Sequence, residues 1–198
     1  FYLLHHSQWL LRFHNAPSLS LVVPVSCSTN RLLYYTLIIV KLIKAQISMT
    51  IIHNIPFTDI EIGMQRQYSK TLTERDLQLF AETSGDYNPV HLDAEYAATT
   101  AFGERIAHGM WSGALISAAI ATTLPGPGSV YRSQTLKFSK PVKLGDTITI
   151  TLTVTDKKDR VKLVTIECEG RNQRDEVVVK GEAEVIASAE KIELLLNK

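Results

Sequence analysis

Asp86 and His91 stand five residues apart in the stretch Ser84-Gly85-Asp86-Tyr87-Asn88-Pro89-Val90-His91-Leu92-Asp93. A carboxylate and an imidazole at that spacing can hold one water and handle its protons. Histidine suits such work because its unperturbed pKa lies near neutrality, and a positioned acid or base is worth on the order of 10²–10⁴-fold in rate. Pro89 fixes the backbone between the two, so their separation is preset. Gly109 offers a third ingredient. It opens a long uncharged segment, where the free N–H groups and positive dipole end of a helix favour an anion, and in other enzymes loss of one such donor costs about 10²–10³ in rate. Water handling plus an oxyanion donor suits chemistry beside a substrate carbonyl, whose oxygen the start of the helix would hold.

Plainer readings exist for each residue. Asp86 can be a loop acid after a helix, Asn88-Pro89 a common turn, and His91 a structural histidine. His108 reads as structural, capping the next helix or orienting the loop. Ser117, eight residues after Gly109, has two readings, a place in the site or a bond back to a helix carbonyl. Ser112 is no nucleophile elbow, because Met110 occupies the place of the first glycine in Gly-x-Ser-x-Gly. The run Lys157-Lys158-Asp159-Arg160 reads as a solvated turn, with a coenzyme A phosphate contact as the alternative.

These residues need elements to hold them. Thr73 with Asp76 forms a capping-box pattern that opens a helix with Leu77, Phe80 and Ala81 on one face, and Gly85 ends it. Asp93 caps a second short helix over 93–100. His108–Leu124 carries no charge, which predicts a helix buried all round, stopped by Pro125-Gly126-Pro127-Gly128. Phe57–Gly63 reads as strand and turn, and Arg66–Leu72 as a short extended piece. Four strands follow: Val130–Phe138, Thr147–Thr155 (Ile148, Ile150, Leu152 and Val154 alternating with threonine), Val161–Glu169 and Glu176–Ile186. Short links favour antiparallel neighbours. The expected class is α+β, an antiparallel sheet wrapped around one long apolar helix. Residues 188–198 read as a weakly helical tail.

The 198 residues fit one domain with trimmings, and a net charge of +1 gives no argument for nucleic acid or an acidic partner. Residues 1–48 differ from the rest. They hold four Lys/Arg and no Asp/Glu, against 17 and 20 in residues 49–198. Their apolar run Leu32–Ile47 is broken by Lys41 and Lys44, too early for a membrane span, and no helical or strand period is visible in the first residues. The expectation is an upstream-translation artefact or disordered extension with Met49 as the true start, the alternative being a targeting leader. The working division is therefore 1–48 as an atypical extension, 49–187 as the domain and 188–198 as the tail. Two cysteines, Cys27 and Cys168, make neither a disulfide framework nor a metal motif. The chain reads as cytoplasmic, organellar delivery by 1–48 being the alternative.

Ser84–His91 resembles the signature of MaoC-like (R)-specific enoyl-CoA hydratases, which have the hotdog fold. The likeness runs on through Ala97–Phe102, Ile106–Met110, Leu124–Tyr131 and Pro141–Asp146, covering roughly 55–187. It is most similar to the N-terminal hydratase part of bifunctional enoyl-CoA hydratase/phosphate acetyltransferases, whose second domain has no counterpart here. The resemblance implies hydration of trans-2-enoyl thioesters to (R)-3-hydroxyacyl thioesters and the reverse. It puts Asp86 and His91 on the catalytic positions, Gly109 on the position whose N–H binds the thioester oxygen, and Asn88 and Ser117 on supporting positions. It implies no metal or redox cofactor, an acyl-CoA or acyl-carrier-protein substrate, and a homodimer. Competing functions are a hotdog thioesterase and a non-catalytic acyl-binding domain.

Overall fold

The structure, a computed structural model, describes residues 2–5, 8–13, 16–24 and 49–197. It divides into two compact units, one of residues 1–50 with 197–198 and one of 51–196. In the first, strands β1 (Tyr2–His5), β2 (Gln8–Phe13) and β3 (Ala16–Pro24) pair antiparallel in the order β1-β2-β3. Sequence pattern did not announce these strands. The run Leu32–Ile47 and Cys27 lie outside the described residues.

The second unit is built on alternation. From Met49 on, the elements in chain order are β4 (Met49–His53), β5 (Gln65–Thr71), helices α1 (Glu74–Ser84), α2 (Pro89–Leu92), α3 (Ala94–Ala98) and α4 (Gly109–Thr122), then β6 (Val130–Phe138), β7 (Thr147–Lys158), β8 (Leu163–Arg171), β9 (Val177–Ile186) and β10 (Glu193–Asn197). Strands β5-β7-β8-β9-β6, in that order, form one antiparallel sheet. Ile148, Ile150, Leu152 and Val154 on β7, with Val164, Ile166 and Cys168 on β8, turn inward and are buried. The alternate residues make a polar outer face: Ser69 with Thr149 at 2.9 Å and Thr71 with Thr147 at 2.7 Å, opposite one another in register. Strand β9 approaches β6 so closely that a Cβ at Gly181 would lie 1.8 Å from the Thr135 carbonyl oxygen, so no larger residue fits there.

Helix α4 lies in this curl, touching β5, β7, β8 and β9. Trp111, Leu115, Ile116, Ala119 and Ile120 are buried against the inner face of the sheet. Burying each large apolar side chain is worth about 1.5–3 kcal/mol. The helix is not buried all round. Met110, Ala114, Ser117 and Ala121, spaced by three and four, form an exposed stripe, because one sheet of five strands covers only one side of a helix.

Other elements also depart from the sequence expectation. Phe57–Asp59 is a 3₁₀ turn where a strand was expected, whereas the extended piece Arg66–Leu72 matches strand β5 (Gln65–Thr71), one edge of the sheet against β7. Nothing in Gln65–Thr71 alternates strongly in hydropathy, because it is an edge with both faces largely wet. The end of the chain is not helical: β10 pairs with β4. Asn54 holds the segment leading to it, donating from Nδ2 to the Glu190 carbonyl at 2.8 Å and accepting from the Ile192 N–H at 2.7 Å.

Candidate active site

Helix α1 begins at a capping box. The Thr73 hydroxyl accepts from the Asp76 N–H, and the Asp76 carboxylate accepts from the Thr73 N–H at 2.9 Å. It ends at Gly85, whose φ of 75° is the left-handed conformation that suits glycine. That bend throws the chain outward at Asp86 and back inward at once. Asn88 caps the next turn, its Oδ1 accepting from the Val90 N–H at 3.3 Å, and Pro89 occupies the first helical position, where a missing N–H costs nothing. The motif therefore contains one helical turn, α2, which the sequence pattern was too short to reveal. It buries His91 and leaves Asp86 exposed.

The histidine tautomers follow from their partners. His91 Nδ1 lies 2.8 Å from the Ile106 carbonyl oxygen. A carbonyl only accepts, so Nδ1 carries the proton and Nε2 is a bare lone pair. The loop holding Ile106 is tied down by Arg105, whose guanidinium grips Glu74 with two hydrogen bonds, of 2.8 and 2.6 Å. Burial lowers the proton affinity of His91 below the ordinary histidine value. The bond to Ile106 and the Asp86 charge oppose this, and the neighbouring His108 reinforces it. His91 is thus held as a neutral base. The Asp86 Oδ1 accepts from the Asn88 N–H at 3.2 Å.

His91, His108 and Gly109 line one cleft of about 340 Å³, closed otherwise by Ser112, Phe138 and Val178 among others. Its mainly apolar wall and few polar groups are what a small acyl chain needs. Gly109 is the first residue of α4, so its N–H has no intrahelical acceptor. The Phe138 ring stands directly over it: a Cβ at Gly109 would meet that ring at 3.3 Å. Asp86, His91 and His108 each present an atom within 4.8 Å of the others.

The sequence candidates thus divide. Asp86 and His91 come together, and Gly109 lines the cleft that His91 lines. Asn88 is at the site, but its side chain is used in capping α2. Ser117 is away from the cleft, on the exposed stripe of α4. His108 is no side-chain cap of α4; its Nε2–H donates to the Asp86 backbone carbonyl at 2.9 Å, so it orients the loop. Sequence reasoning missed its contact with His91, the two rings stacking with centroids 3.8 Å apart at 32°. The only signal for it was a histidine immediately before the helix-opening glycine.

Residues 57–182 match the MaoC-like domain family. The chain belongs to that family. Among its MaoC-like relatives, it is 47% identical over 133 residues to an (R)-specific enoyl-CoA hydratase of Rhodospirillum rubrum, the match covering 67% of this chain and 92% of the relative. It is 43% identical over 127 residues to a 3-hydroxybutyryl-CoA dehydratase of Methylorubrum extorquens, covering 64% and 80%. The solved structure of the R-hydratase PhaJ1 from Pseudomonas aeruginosa in the unliganded form matches with a TM-score of 0.73 and 54% identity, covering 75% of this chain and 96% of that one. The antiparallel sheet around α4 is the hotdog fold of these MaoC-like hydratases.

Proposed function

We propose that this chain catalyses the reversible hydration of trans-2-enoyl thioesters to (R)-3-hydroxyacyl thioesters, on an acyl group carried by coenzyme A or an acyl carrier protein. The observation that carries the reading is that Asp86 and a neutral His91 present atoms within 4.8 Å of each other, while His91 and the N-terminal turn of α4 line one cleft with apolar walls. Kinship with proteins named enoyl-CoA hydratase and 3-hydroxybutyryl-CoA dehydratase supports it.

In this reading Asp86 and His91 hold one water. The bare Nε2 of His91 takes its proton as the hydroxyl bonds to C3. The π electrons move towards the thioester oxygen, where the Gly109 N–H stabilises the enolate charge. C2 then takes a proton from the acid/base pair, so one water is consumed and one double bond lost. Dehydration runs the same steps backwards. The chemistry is proton transfer and hydrogen bonding, and the reading includes no metal or redox cofactor.

A homodimer belongs to the same reading. The exposed stripe of α4 is uncharged, and the edge strand β6 exposes Val130, Tyr131 and Phe138, the last of them lining the cleft. A second copy of the chain would cover both and give Ser117 a partner surface. A cytoplasmic setting fits the free, buried Cys168. The direct test is loss of enoyl-thioester absorbance with crotonyl-CoA, with product chirality determined. Release of free thiol at a matching rate would instead make the chain a thioesterase, and tight binding without turnover would make it an acyl-binding domain.

A further inference from the structure

We propose that His108 is a positioning residue that holds both members of the Asp86/His91 pair in one geometry and ties that pair to the oxyanion turn. The proposal rests on the hydration reading above.

One residue, through its ring and its backbone, reaches all parts of the site. Its Nε2–H donates to the backbone carbonyl of Asp86, 22 residues earlier, at 2.9 Å. That bond fixes the point from which the Asp86 carboxylate projects, on a segment with few other ties: the Asp86 N–H to Ser84 Oγ and the Asn88 N–H to Asp86 Oδ1, both 3.2 Å. The same ring stacks on His91 at 3.8 Å, setting the imidazole plane about its Nδ1 bond to Ile106. Phe80 of α1 packs against His108 at 5.0 Å, so the ring is itself held. The backbone of His108 is the N-cap of α4, and its carbonyl accepts from the Trp111 N–H at 3.0 Å, closing the turn that presents the Gly109 N–H. His108 is only 2% exposed.

Its chemistry distinguishes this role from packing alone. Donation from Nε2 leaves Nδ1 as a bare lone pair, and that atom is buried without a protein partner. An orphaned buried acceptor costs free energy, so a residue chosen for packing would be apolar here. What histidine adds is a flat ring for the stack and a donor at its far end for the Asp86 carbonyl. The titratable groups facing His91 are Asp86 from the loop and His108 from the start of α4.

The test compares His108→Gln with His108→Phe in steady-state hydration of crotonyl-CoA. Wild-type turnover first establishes the reaction, so failure of the hydration reading is seen separately. Gln keeps an N–H donor at the reach of Nε2, whereas Phe keeps the flat ring but loses the donor. His108→Phe should lose at least about tenfold in kcat, with KM within about threefold, since small misplacements of reacting groups cost up to about 10² in rate. His108→Gln should recover most of that loss. The acid limb of the kcat/KM profile should move to higher pH in His108→Phe, because a neighbour that disfavours charge on His91 is gone. If His108→Phe does not fold, His108→Asn, too short to reach the Asp86 carbonyl, replaces it. A loss in kcat below tenfold, a Gln variant no better than the donor-less one, or an unmoved acid limb overturns the proposal.

Discussion

Two aspartates, 60 residues apart in the chain, show how this fold separates chemistry from support. Asp146, in the turn before β7, is 3% exposed and saturated: Arg174 Nη1 at 3.0 Å and Gln173 Nε2 at 2.6 Å reach one oxygen, and the Lys143 N–H at 2.9 Å reaches the other. Burial alone would raise its pKa. The donors from Lys143, Gln173 and Arg174 outweigh that and hold the carboxyl below the usual range. Asp86 has one backbone N–H on a carboxylate oxygen and, among the described residues, no lysine or arginine against it. A carboxylate with every lone pair in use cannot hold a substrate water. One left mostly free, beside a neutral imidazole, can. Both lie in stretches of the family likeness, and only their surroundings tell the proposed working acid from the structural one.

That contrast can be broken at either end. The largest effect is expected at the site: Asp86→Asn and His91→Ala should each lower kcat by about 10²–10⁴-fold, with melting temperature nearly unchanged for the exposed Asp86. Asp146→Ala should do the reverse. It leaves the Lys143 and Gln173 donors without their acceptor, a cost of about 1–3 kcal/mol, read as a lower denaturation midpoint with turnover per folded molecule preserved. An Asp146 variant that is stable and inactive would collapse the distinction.

The two groups also predict separate responses to acid. Asp146 is depressed, so its stabilising contribution is present above the unfolded carboxyl value and lost as pH falls through the lower folded value. His91 is depressed as well, so it stays neutral below the ordinary histidine range. Activity that needs a neutral His91 should therefore persist below about pH 6.5, the unperturbed value, and fall at lower pH, before the Asp146 contribution to stability is lost. Kinetic pH profiles set beside denaturation midpoints measure both. A smaller effect is expected from Ser117→Ala. On the exposed stripe of α4 it should change hydration by no more than a few-fold, and a loss comparable to that of Asp86→Asn would return Ser117 to the chemistry. The smallest concerns Cys168. Burial pushes its thiol up to about 12, so alkylating reagents should leave it unmodified at neutral pH until the protein unfolds.

The legibility of the fold follows burial. Strand β7 could be read because one face is fully buried and the other wet, which writes period two into its residues. The α1 cap was legible because capping is a local exchange between Thr73 and Asp76. Strand β5 was legible only as a short extended piece, since it has no strong face, and β10 was not legible at all, because it is defined by its partner β4 rather than by its own pattern. The exposed stripe of α4 was misread for a related reason. Alanine, serine and glycine suit close packing and exposure alike, so the absence of charge overstated burial. At the site, Asp86, His91 and Gly109 were recognisable as residue types at useful spacing. The stack of His108 on His91 was not, since it depends on a loop returning 17 residues later, held by the Ile106 carbonyl and Arg105.

The central claim is that Asp86 and His91 together hydrate an enoyl thioester. Its most direct test follows crotonyl-CoA absorbance and free thiol in the same cuvette, for wild type and Asp86→Asn. The account predicts absorbance loss without thiol release in the wild type and a fall of about 10² or more in the variant. Thiol appearing in step with absorbance loss, or an Asp86→Asn enzyme as fast as wild type, would contradict it.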